Sequence, residues 1–276
     1  MALAKKVLFA SCVMMSCGLA KKGDTATQEL APAPLTLTAD SVSFTQYCQS
    51  SPADPIVSSV LAHLFSSPDP MFCAQAEARL AQVQQLNLRG RGIESLETLR
   101  YLTNLLWLDL GENPLQEVHG LSHLVSLEAL WLDNSSLGST APLAALLQLR
   151  SIDLRNTEIT RMEGLSALSQ LQKLNISQNT LEDVHFLSRL VNLRWLSAAS
   201  VGLTQLQPIV FLTRLQYLDL RDNLLEDLSP LAKLPDLLSL DAMGNPLSNL
   251  PQDEVTCPTQ GDINPALRSF CRLLPQ

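Results

Sequence analysis

Histidines, acids and cysteines are the residues whose types and spacing could do chemistry in this chain, and they sustain little of it. His119 and His123 lie four apart, the spacing of a metal pair on a helix, but the segment around them does not read as a regular helix. His63 and His185 have no such companions. Asp109, Asp133 and Asp153 carry enough charge for calcium, yet nothing in their spacing imposes a coordination sphere. No Ser-His-Asp, Cys-His or H-E-x-x-H arrangement is present, and no glycine-rich phosphate loop. A non-catalytic protein without metal or cofactor is therefore expected.

Aromatic residues carry the stronger signal. All three tryptophans, Trp107, Trp131 and Trp195, fall with Tyr217 into fixed columns of a 22-residue repeat. Trp is costly to expose and is enriched where proteins bind one another. Asp133, Asp153, Arg155, Lys173, Asp219 and Arg221 occupy the same columns, so these ten residues form the candidate binding set.

The repeat itself positions them. From Val83 the 22-residue stride gives Leu105, Leu127, Leu149, Leu171, Leu193, Leu215 and Leu237; from Leu86 it gives Leu108, Leu130, Ile152, Leu174, Leu196, Leu218 and Leu240. Such regularity belongs to a solenoid, whose turns bury their apolar sides only against their neighbours. In Leu105–Leu115 the pattern is L-x-x-L-x-L-x-x-N-x-L: Leu108 and Leu110 alternate with Trp107, Asp109 and Gly111, as in a short strand with one buried face. Val118, Leu121 and Leu124 follow at every third position, which suits a 3₁₀-like return. Repeat positions three, five and seven then point away from the core. Position three holds Trp107, Lys173, Trp195 and Tyr217; position five holds Trp131, Asp153 and Asp219; position seven holds Asp133, Arg155 and Arg221. Arg155 and Arg221 are placed to neutralise Asp153 and Asp219 two residues earlier, which predicts a solvated, self-neutralised acidic row.

Position nine carries Asn113, Asn179, Asn223 and Asn245, with Ser135 and Thr157 as short polar stand-ins. An asparagine there is expected to turn inward and bond backbone groups of its own and the next turn. Arg91 and Val201 break the ladder; with the undersized Ala198 beside it, Val201 marks the sixth repeat as the softest.

These residues resemble the bacterial secreted leucine-rich-repeat proteins whose units are of the internalin type. The resemblance implies an α/β solenoid: a leucine-rich-repeat horseshoe with a parallel concave sheet of about eight short strands and a 3₁₀ or irregular convex side. The immunoglobulin-like domain and wall-sorting tail usual in Gram-positive internalins are not seen, so adhesion to host cells does not carry over.

Residues 83–250 make eight such repeats. Before them, Lys5 and Lys6 precede the apolar stretch Val7 to Met15, the pattern of a signal peptide. Two exits stay open: Met14-Met15-Ser16-Cys17 resembles a lipoprotein box that would lipidate Cys17 and end the signal at residue 16, and ordinary cleavage would end it at Ala20. Residues 17–43 read as a disordered tether, 44–82 as a helical cap and 251–276 as a C-terminal cap. Asp54-Pro55, Asp69-Pro70 and Asn264-Pro265 each place a capping side chain before proline at a first helical position. Cys48, Cys73, Cys257 and Cys271 flank the repeats in two pairs. Local pairing, Cys48–Cys73 and Cys257–Cys271, is predicted, because the alternatives would join the ends of a stack about 35 Å long at ~4.8 Å per strand. A disulfide-bonded cap at each end follows.

The net charge of −8 disfavours nucleic acid and anionic lipid. Membrane contact is expected only through a lipid on Cys17. The expectation is a monomeric binding module of the cell envelope that takes a protein or peptide on its concave sheet. The alternatives are a mainly structural envelope protein and, more distantly, an inhibitor or regulatory subunit of an enzyme.

Overall fold

In the computed structural model, residues 42–247 are described. The expected signal segment, Cys17, the Cys257–Cys271 pair and the C-terminal cap at Asn264-Pro265 lie outside them.

Three short helices open the described chain: α1 (Phe44–Ser50), α2 (Pro55–Phe65) and α3 (Cys73–Glu77). Ser43 and Gln46 close a capping box on α1, a start that the sequence reading did not pick out. Asp54 caps α2 as expected, accepting from the amides of Ile56 and Val57. It does more than cap. Its second oxygen accepts from Tyr47 Oη at 2.8 Å and from Thr98 Oγ1 at 2.6 Å, so one carboxylate ties two helices to the return of the first repeat. Cys48 and Cys73 form the local disulfide, fully buried between α1 and α3.

Eight strands of three residues follow at 22-residue intervals: β1 (Gln85–Asn87), β2 (Trp107–Asp109), β3 (Ala129–Trp131), β4 (Ser151–Asp153), β5 (Lys173–Asn175), β6 (Trp195–Ser197), β7 (Tyr217–Asp219) and β8 (Ser239–Asp241). They form one parallel sheet in chain order, each paired with the next in unbroken register, so Leu108 faces Leu130 and Leu130 faces Ile152. Each step between strands returns through a short 3₁₀ turn, as at Glu97–Tyr101 and Glu163–Ala167. Columns one and six of the repeat are buried throughout the described stack, and column four is buried from β1 to β7. A fully buried leucine contributes roughly 1.5–3 kcal/mol over an exposed one, and here the same position contributes in turn after turn.

The chain leaves every strand through a left-handed residue. Gly90, Glu112, Asn134, Asn156, Gln178, Ser200, Asp222 and Gly244, the eighth residues of their repeats, have φ between 52° and 76°. Only two of the eight are glycine, so the turn is held by its surroundings more than by residue preference. What holds it is the asparagine ladder. Asn113 donates to the carbonyls of Leu88, Leu110 and Gly111 and accepts from the amides of Arg91 and Ile93. Asn223 repeats the pattern with Ala198, Leu220, Arg221, Val201 and Leu203.

The direction of these bonds corrects the sequence expectation. Each asparagine serves its own turn and the preceding one, because the loop that leaves the preceding strand curls over its amide. In the sixth repeat Asn223 takes the amides of Val201 and Leu203, so what Val201 withholds is side-chain bonding to the fifth repeat, where the Leu181 amide donates to the Val201 carbonyl instead. The gap lies instead at Ser135, whose Oγ is the one buried side-chain polar atom without a partner among the described residues. The next turn offers Thr157, whose hydroxyl serves Leu154 and Asn179 and does not reach back. Ser135→Asn should therefore fill the gap, donating to the Leu110 and Leu132 carbonyls. We expect about 1 kcal/mol of added stability. Thermal unfolding should show it as a Tm increase of roughly 2–4 °C, and an unchanged or lower Tm would contradict the ladder geometry.

Candidate ligand-binding face

The strand pleat sends columns three, five and seven to the open face of the sheet, where all ten candidate residues stand. Trp107 and Trp131 are on neighbouring strands at different positions, yet their rings meet with centroids 4.9 Å apart and planes tilted by 45°. Trp195 and Tyr217, opposite one another in the β6–β7 register, stack at 5.2 Å with planes 6° apart. All four rings are half-buried.

The charges between and beside them are arranged differently from expectation. Arg89, absent from the candidate set, is the hub. Its Nε donates to Asp109 at 3.1 Å, and its Nη1 donates to Glu112 at 2.9 Å and to Asp133 at 3.0 Å. The reach to Asp133 spans two repeats and passes over Gly111, where an added Cβ would lie within 2.6 Å of both the guanidinium and the Asp133 carboxylate. Reading Arg89, Gly111 and Asp133 down column seven as cation, gap and anion was the signal available in the sequence. Asp133 first and then Asp109 hold the Arg89 guanidinium's pKa above its ordinary value, against the opposing effect of burial.

Arg221 and Asp219 pair as expected, through Nε at 3.0 Å and Nη2 at 2.8 Å. Burial pushes the Asp219 carboxyl up, but the bonds from Arg221 and from Ser197 outweigh it, and its pKa falls below the ordinary aspartate value. Arg155 and Asp153 do not pair in this way. The Asp153 carboxylate accepts from the Arg155 backbone amide and from Asn175 Nδ2, and burial raises its pKa. The acidic row is also not solvated: the side chains of Asp109, Asp133 and Asp219 are 10, 9 and 3% exposed. Neutralised inward, these acids present little charge to solvent. Lys173 and the Arg155 side chain are exposed and pair with no carboxylate among the described residues.

Asp109 and Asp133 are thus both committed to Arg89, and a cation shared with Asp153 would have to displace a guanidinium. Among the described residues no group of three or more His, Cys, Asp or Glu is placed to hold a metal, and no helix is long and apolar enough to cross a membrane. His119 lies beside Glu117 and His185 beside Asp183, all exposed on the return loops and away from the open face.

Residues 213–253 match the family model for leucine-rich repeats in two copies. Internalin C2 of Listeria monocytogenes is 28% identical, over 72% of this chain and 90% of that one, with a TM-score of 0.64. The chain folds as a leucine-rich-repeat solenoid. A leucine-rich-repeat protein of Leptospira interrogans is 26% identical over 62% of this chain and 52% of its own, with a TM-score of 0.51. TLR13 in its complex with ssRNA13 is 22% identical over 61% of this chain and 30% of its own, with a TM-score of 0.51, and shares the fold alone. No curated protein sequence matches. In all, 460 solved chains match the leucine-rich-repeat fold found here, too many for the fold by itself to name a ligand.

Proposed function

We propose that this leucine-rich-repeat protein is a non-catalytic interaction module that binds a protein or peptide on the open face of its sheet. Trp107 and Trp131 form one anchor, Trp195 and Tyr217 the other. The observation that carries the reading is that every tryptophan of the chain stands half-buried on this one face, in ring contact with another aromatic. Aromatic pairs of this kind are worth about 0.5–1.5 kcal/mol beyond their buried area, and Trp and Tyr are enriched among hot-spot residues. The net charge of −8 speaks against nucleic acid as the ligand.

Placement in the bacterial envelope or outside the cell is part of the same reading. It is supported by the segment Lys5–Met15, by Cys17 and by the Cys48–Cys73 disulfide, which suits an oxidising compartment. Lipidation at Cys17 makes the membrane contact in this reading. A mainly structural role is the second reading, and the Arg89 clamp across three repeats favours it.

Affinity capture separates the two. The intact chain and its Trp107→Ser/Trp131→Ser variant are immobilised and exposed to envelope and culture extracts. We expect a protein retained by the first and lost, by tenfold or more, from the second. Equal retention, or none, would contradict an aromatic-anchored binding face.

A further inference from the structure

Between its two aromatic anchors the open face presents cations, although the face as a whole contains more acids than bases. Columns three, five and seven hold five aspartates and four cations from β1 to β8: Asp109, Asp133, Asp153, Asp219 and Asp241 against Arg89, Arg155, Lys173 and Arg221. Three of the acids are buried beneath Arg89 and Arg221, and Asp153 is drawn onto the Arg155 amide and Asn175. Arg155 and Lys173 are the cations left without a carboxylate among the described residues, and both are exposed. They sit between the two aromatic anchors. Trp131 on β3, Arg155 just past β4, Lys173 on β5 and Trp195 on β6 occupy four successive turns.

The rings constrain what meets these cations. Trp195 and Tyr217 stack face to face across neighbouring strands, so their planes stand across the sheet and an incoming group meets ring edges. Trp107 and Trp131 lean on each other at 45°. A sugar ring or a nucleobase binds by lying flat on an open aromatic face, and the Trp195–Tyr217 stack leaves less of that area than two separate rings would. Ring edges and the grooves beside them suit aliphatic and aromatic side chains.

We propose that the face recognises an acidic peptide segment, extended across the strands, with one or two carboxylates held by Arg155 and Lys173 and an apolar side chain seated at each aromatic anchor. Three strand steps separate Trp131 from Trp195, ~14 Å at ~4.8 Å per strand. An extended chain covers that in about four residues at ~3.3 Å each. The motif is therefore an apolar residue, an acid near the middle and a second apolar residue about four positions on. Arginine supplies a fork that fits a carboxylate in two hydrogen bonds, and lysine a point charge beside it.

This rests on the aromatic-anchored reading above, and the test keeps the two apart. Random dodecapeptides displayed on phage are selected on the intact chain. Enriched sequences are then measured as free peptides against the parent, against Arg155→Ser/Lys173→Ser and against Trp107→Ser/Trp131→Ser. We expect Asp or Glu between apolar residues in the enriched set. Affinity should fall by about tenfold or more with either double variant, and by about tenfold when the acid of the peptide becomes lysine. Peptides that need the tryptophans but carry no acid, and are indifferent to Arg155 and Lys173, would overturn this inference and leave the binding reading standing. Enrichment of nothing that depends on the tryptophans would overturn both. Dextran sulfate is the polyanion control. Its binding with equal strength to the parent and the tryptophan variant, while displacing the peptides, would mark the face as a polysaccharide site and contradict the peptide assignment.

Discussion

Asn223→Ala should destabilise the stack by roughly 3–4 kcal/mol, among the largest losses expected from a single polar side chain in the repeats. Asn223 is 3% exposed, and its amide group serves five backbone groups in two turns. Alanine removes all five bonds and lets in little water. Each buried donor or acceptor left unmade costs about 1–3 kcal/mol, and some of that is recovered as the loop relaxes. Asn245→Ala should cost less, because its bonds are only part-buried. Chemical denaturation followed by circular dichroism checks both. A loss below about 1 kcal/mol for Asn223→Ala would mean that the ladder is decorative and that leucine packing alone sets the turn.

Arg89→Met should cost about 3 kcal/mol. This is not because surface ion pairs are strong, which they are not, but because the change strands two carboxylates. Asp109 and Asp133 have side chains about 10% exposed and face the same guanidinium. With methionine there, two buried negative charges confront one another across Gly111. Arg89 is itself one-third exposed, so the figure is set below the 3–5 kcal/mol typical of a fully buried pair broken on one side. Adding Asp133→Asn to Arg89→Met should recover more than half of the loss. The double-mutant cycle distinguishes electrostatics from lost packing: simple addition of the two single effects would contradict the clamp.

How far the sequence carried differs between the stack and its face. The leucine columns, the strand register, the 3₁₀ returns, the helical cap and the Cys48–Cys73 bond follow from strict periodicity and local spacing, which a single turn determines. Contacts that cross turns did not follow. Arg89 and Asp133 are 44 residues apart, and their pairing depends on the absence of a side chain at Gly111, so neither residue alone signals it. The Asn ladder was visible at Asn113, Asn179, Asn223 and Asn245, but its direction was not, since column nine is equally distant in sequence from the turns on either side. Ser135, a short polar stand-in on paper, proves to be the gap because Thr157 in the next turn spends its hydroxyl elsewhere. The aromatic columns were legible from the 22-residue stride, whereas the meeting of Trp107 with Trp131 required two large rings to lean toward each other across a diagonal.

Because Trp107, Trp131 and Trp195 are all on the open face, tryptophan emission from this chain reports on that face and on no other part of the molecule. The most direct test is therefore the intrinsic fluorescence of the intact chain, with acrylamide as quencher, titrated with the protein or peptide recovered by capture or selection. A saturable blue shift with loss of acrylamide access, absent when the same ligand is added to the Trp107→Ser/Trp131→Ser variant, is the result expected of an aromatic-anchored binding face. A ligand that binds the chain while emission and quenching stay unchanged would place recognition elsewhere and contradict it.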